Sequence, residues 1–151
     1  MACAGLTASL AAAHAAAPAQ PSSVTLSGPS VVIFRATAAE TAQARTERTE
    51  EFAEFRKDFD ANATRFTKWL AAHPGIHVVA TTVDVVRFSD PAAQPVWRYS
   101  VEGGHGYLFY RPGTAVHVYA GVRSADGLIC EAARTFDVKP LPPRCDPLTG
   151  R

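Results

Sequence analysis

The chain has 151 residues, 47% of them apolar and 19% charged, with a formal net charge of +1. That length suits one domain with a core of its own, and the composition is that of a globular chain. The near-neutral charge removes the electrostatic ground for binding nucleic acid, and no apolar run reaches the roughly 20 residues that a membrane-spanning helix needs.

The chain opens on "MACAGLTASLAAAHAAAPAQ", rich in alanine and ending in small residues around Ala15, Ala17 and Ala19. This pattern has the apolar core and the A-x-A cleavage region of a secretory signal, although no Lys or Arg precedes the apolar stretch. Residues 1–19 are therefore read as a leader, with a mature chain starting near Gln20, free of integral membrane segments and periplasmic or secreted. Cys3 would leave with the leader, so Cys130 and Cys145 would remain. A lipid-modified Cys3 is disfavoured, because too little apolar sequence precedes it. None of the three cysteines forms a C-x-x-C pair, and no histidine cluster accompanies them, so no zinc site is expected.

"VTLSGPSVVIF" is strand material broken at Gly28-Pro29. The stretch after it, within "RATAAETAQA", is small and polar and reads as a loop. Residues 49–72 form the strongest helix: Phe52, Phe55, Phe59, Phe66, Trp69 and Leu70 recur on one face. Glu47, Glu50 and Glu51 near its start and Lys68 and His73 near its end suit the helix dipole, and Pro74-Gly75 ends it. The aromatic stripe is read as core packing. "IHVVATTVDVV" is β-branched and apolar enough for a single strand buried on both faces. "FSDPAAQPVWRYSV" starts like a helix at Ser89-Asp90-Pro91, which Pro95 keeps short or irregular. "GYLFY", a turn at Arg111-Pro112-Gly113-Thr114 and "AVHVYAGV" form a β-hairpin. Ser124 caps a last helix through Phe136, with Leu128, Ile129, Ala132, Ala133 and Phe136 inward. The tail, residues 139–151, is too proline-rich to form an element. The expected domain covers residues 20–138.

Strand, long helix, strand, weak helix, hairpin and helix make an α/β sandwich: a mixed sheet with a β-α-β unit followed by a β-hairpin and a C-terminal helix. Over residues 31–138 this order resembles the thioredoxin-like superfamily. "GYLFYRPGTAVHVYAGVRSADGLICEAARTF" is similar to that family's closing hairpin and capped helix, and "VVIFRA" to its central strand, which in the family runs into F-x-A-x-x-C-x-x-C. The resemblance places Ala39 and Ala42 at the positions of the two active cysteines. It places His105, in "GGHGY", at the position of the family's cis-proline. Alanine offers no thiolate for disulfide exchange, and a cis bond before a non-proline residue costs about 3–4 kcal/mol, so a trans bond is expected there. The resemblance thus implies a non-catalytic member lacking C-x-x-C.

Other chemistry-bearing residues are scattered. His14, His73, His77 and His117 form no metal-binding spacing, and no phosphate loop, dinucleotide fingerprint or G-x-S-x-G is present. Asp84 and Asp90 fit strand-end and capping roles better than an acid/base pair. Trp97, Arg98 and Tyr99 fit either a recognition patch or, for Trp97, the core. In an exported protein Cys130 and Cys145 are expected to form a disulfide. No cofactor and no catalytic or metal-binding residue is expected. The leading expectation is an exported module that binds a protein or peptide. The alternatives are a redox protein using Cys130 or Cys145, and a small-ligand carrier with a helix curled over a curved antiparallel sheet.

Overall fold

The computed structural model describes residues 20–145, so the expected leader, His14 and residues 146–151 lie outside it. In chain order the elements are β1 (Ser23–Leu26), β2 (Ser30–Phe34), α1 (Ala38–Glu47), α2 (Thr49–Leu70), β3 (His77–Thr81), β4 (Val85–Phe88), β5 (Val96–Trp97), β6 (Gly106–Tyr110), β7 (His117–Ala120) and α3 (Ala125–Thr135). Short 3-10 turns occupy Arg98–Ser100, Glu102–Gly104 and Pro143–Cys145.

The strands form two mixed sheets, one of four strands in the order β3-β2-β6-β7 and one of three in the order β1-β4-β5. In the larger sheet β2 pairs in parallel with β3, Val31 beside Val78, and antiparallel with β6, Val32 opposite Leu108. The β6–β7 hairpin closes it. Every residue of β2 and β6 is buried. Because side chains alternate across a strand, Val31, Ile33, Tyr107 and Phe109 pack with Phe59, Ala63, Phe66 and Leu70 of α2 and with Leu128 and Ala132 of α3. Val32, Phe34, Leu108 and Tyr110 pack on the opposite face with Leu26, Val86 and Val101. The layers are helices, four-stranded sheet and three-stranded sheet.

Several expectations are corrected here. The single sheet is two, because "IHVVATTVDVV" breaks after Thr81. The Thr81 hydroxyl accepts from Val83 N–H at 3.0 Å, and Asp84 turns back to Ser22, so the chain leaves the first sheet and begins the second. β3 is consequently a mostly exposed edge strand, not one buried on both faces. Residues 89–95 form turns instead of a helix, with the Asp90 carboxylate accepting from Ala92 N–H. The stretch after β2 is a helix, α1, where a loop was expected. The proline-rich tail also contains an element: its 3-10 turn is tied to α3 by a Cys130–Cys145 disulfide and by Arg134 donating to the Cys145 carbonyl at 2.9 Å. Closing a loop of this size is worth about 3 kcal/mol in the chain-entropy model.

The aromatic stripe of α2 divides along its length. Phe59 and Phe66 are fully buried, whereas Phe52 and Phe55, a turn or two closer to the start, are half-buried. Phe59 lies 5.1 Å from the Tyr107 ring and 4.9 Å from the His105 ring. Phe59→Ala is expected to cost about 3–5 kcal/mol through the cavity it leaves. Exposed Lys57→Ala is expected to stay within about 0.5 kcal/mol. Urea melts of the two variants measure the difference, and similar small losses at both positions would place the core elsewhere.

Candidate functional site

The positions singled out by the resemblance gather at the C-terminal end of β2. Phe34 pairs with Gly106, so the chain leaving β2 runs directly beside the loop that enters β6. Gly104 has φ +72°, and a Cβ there would stand 2.8 Å from Arg98 Nη1; at Gly106 it would stand 2.5 Å from the Tyr119 carbonyl oxygen. Glycine suits the positive φ at 104 and is required at 106 for the two backbones to approach this closely.

Helix α1 begins at the end of β2 through a reciprocal cap. The Thr37 hydroxyl accepts from Glu40 N–H at 3.2 Å, and Thr37 N–H donates to Glu40 Oε2 at 2.7 Å. Ala39 and Ala42 lie exposed on α1, without a nucleophile. Glu40, between them, instead receives Arg98 Nη1 at 2.6 Å. Arg98 is buried, and its Nε donates to the Val83 carbonyl at 3.2 Å while Nη2 lies 3.7 Å from Asp84. The Arg98 bond holds the Glu40 carboxyl below the usual carboxylate range, burial opposing it. Asp84 is also lowered, chiefly by the Ser22 hydroxyl, which donates to it at 2.8 Å.

His105 is 3% exposed and sits across from the start of α2. Its ring meets the edges of Phe52, Phe55 and Phe59, with centroids 6.3, 5.4 and 4.9 Å away, and Nδ1 lies 2.9 Å from the Gly103 carbonyl. Among the described residues the only cis peptide bond precedes Pro140, so the bond before His105 is trans. Burial pushes its pKa below the ordinary imidazole value; Arg35 and Arg56 add to this, while the Gly103 carbonyl and Asp60 oppose it. Arg35 pairs with Asp60 and lies over the Phe59 ring at 5.4 Å. The Tyr107 hydroxyl, on the same side, is pushed up to about 12 by burial.

Beside this cluster, the bend between α1 and α2 and the 102–103 turn enclose an open groove of about 310 Å³ floored by Phe52 and Phe55. The remaining singled-out residues do not join the site as reacting groups. Asp84 ties its turn to Ser22 and stands near Arg98, and Asp90 serves its own loop. His73 Nδ1 donates to the Trp69 carbonyl, His117 meets Glu131 at 2.8 Å, and His77 is exposed. Tyr99 is 80% exposed beside half-buried Trp97, whereas Arg98 between them turns inward. Cys145 is 2% exposed and bonded to Cys130. Among the described residues no group of three or more His, Cys, Asp or Glu is placed to hold a metal, and no helix is long and apolar enough to cross a membrane. The parallel β2–β3 pair is incompatible with a wholly antiparallel sheet under a curled helix.

Sequence reasoning missed Glu40 and Thr37, although T-x-x-E ahead of a helix is a capping-box signature, and it missed the inward turn of Arg98. Comparison with protein-family models, with curated proteins and with solved structures found no significant match.

Two measurements probe this arrangement. A double-mutant cycle of Arg98→Met and Glu40→Gln is expected to give a coupling of about 1–2 kcal/mol, while Arg98→Met with exposed Gln43→Ala is expected to add within about 0.5 kcal/mol. For His105 the folded pKa is depressed, so the unfolded chain takes up the proton first. Its contribution is fully present above about pH 6.5 and falls away as the pH drops toward the folded value, by at most about 1.4 kcal/mol per pH unit. Stability measured by denaturant between pH 7 and 5 should therefore decline less steeply in His105→Phe than in the parent, and equal slopes would show that another group dominates.

Proposed function

We propose that this chain is a non-catalytic, exported, thioredoxin-like module that binds a protein or peptide. One observation carries the reading. At the end of β2, where the resemblance calls for a reactive dithiol, Ala39 and Ala42 flank a carboxylate engaged by buried Arg98, and His105 fills the facing loop. Thiolate attack has no attacking atom there. The fold reading is supported by a β-α-β unit whose first strand lies inside the sheet, paired on both edges, and by a following hairpin and capped helix. The export reading is supported by the alanine-rich leader pattern and by the Cys130–Cys145 disulfide, a bond that persists in oxidising compartments. The binding reading is supported by the groove with its aromatic floor beside the site.

Insulin reduction in the presence of a thiol donor tests the lapsed chemistry, and the expected rate is the donor's own background. A rate above background that survives Cys130→Ala and Cys145→Ala together would reveal another nucleophile and end this reading. Mass spectrometry of the native protein is expected to show an N-terminus near Gln20, and an intact Met1 would remove the export element.

A further inference from the structure

The α1–α2 groove has a composition that narrows what it can bind. Arg48, with φ −146° and ψ 69°, separates the two helices and opens the inner side of the bend. Phe52 and Phe55 stack there with centroids 6.3 Å apart, remaining half-buried where Phe59 and Phe66 on the same helix are covered completely. Around this apolar floor stand Glu47, Glu51 and Glu102 against a single lining cation, Arg48. Among the described residues the side chains of Glu51, Glu102 and Arg48 make no ion pair or hydrogen bond with the rest of the chain. The Glu51 and Glu102 carboxylates are thus available to a partner in a way that Glu40 and Asp84 are not, while Glu47 accepts from the Gln43 side chain at 3.0 Å.

A groove of about 310 Å³, open along one side, suits one or two side chains of a strip of polypeptide lying across it. An apolar anchor would cover the phenylalanine faces, and cations on either side would meet the carboxylates and the negative ring faces. We propose that this groove docks an extended peptide segment carrying an aromatic or branched apolar side chain flanked by Lys or Arg. The proposal rests on the binding-module reading and gives it a partner chemistry.

The test uses the full chain. A random-peptide display library is panned on it, and fluorescence anisotropy then compares labelled Lys-Lys-Phe-Leu-Lys-Lys with Glu-Glu-Phe-Leu-Glu-Glu. The expected result is enrichment of basic–apolar segments and at least tenfold tighter binding of the basic peptide, weakening as salt is raised. The double variant Glu51→Lys with Glu102→Lys changes exposed side chains and is expected to invert the preference; Phe55→Ser is expected to weaken both peptides, with circular dichroism reporting its fold. Equal binding of the two peptides, or a preference unchanged by charge reversal, would overturn the groove assignment. Enrichment of a different pattern, insensitive to the charge reversal, would overturn it too while leaving a binding module in place. A panning that enriches nothing, with neither synthetic peptide bound, would overturn both readings.

Discussion

The structure depends on one constraint: two adjacent strands, β2 and β6, are buried along their whole length on both faces. A strand pair of this kind cannot be stabilised by one covering layer, because alternate side chains would remain in water. The helices satisfy Val31, Ile33, Tyr107 and Phe109, and the second sheet satisfies Val32, Phe34, Leu108 and Tyr110. The small sheet of β1, β4 and β5 therefore completes the core and is no decoration. Its position follows from the strand it covers, and so does the position of Arg98, which leaves β5 and turns back under α1.

At the end of β2 this layering brings charged groups together. Here they are engaged with one another. Arg98 links the second sheet to α1 through Glu40, and Arg35 links the end of β2 to α2 through Asp60. Each pair joins elements that sequence separates widely, and buried Arg98 has three acceptors around it. Removing the acceptors would leave the buried Arg98 guanidinium uncompensated, whereas the half-exposed Arg35–Asp60 pair is worth little by itself. The architecture holds its polar groups still, and what remains open lies one step away, along the bend of α1 and α2.

Much of the larger sheet was legible. The hairpin, the last helix with its Ser124 cap and the aromatic face of α2 carry strong local signals of period, turn chemistry and capping, and these elements occur where they were expected. The second sheet was not legible, for a physical reason. "HVVAT" and "VDVV" are equally good strand sequence, and only the side-chain bonds of Thr81 and Asp84 to backbone and Ser22 send them into different sheets. The Thr81 bond is local, but the Asp84 partner, Ser22, lies 62 residues away along the chain. Helix α1 was hidden by its weak apolar pattern, as no residue in it is buried. The positions of Ala39, Ala42 and His105 came from sequence, whereas the inward turn of Arg98 depends on tertiary contacts that no local pattern encodes.

The pairing of β2 with β6 also governs the order in which this molecule can be made. β2 stands near the start of the described chain and β6 well into its second half, and the longest helix lies between them. While the polypeptide emerges residue by residue, β2 can find β3 early, yet one of its edges stays unpaired until β6 arrives. Closure of so distant a contact is slow compared with helix formation. Until then α2 has only half of its sheet to rest on. The full set of contacts around β2 is therefore completed only once the β6–β7 hairpin has been made.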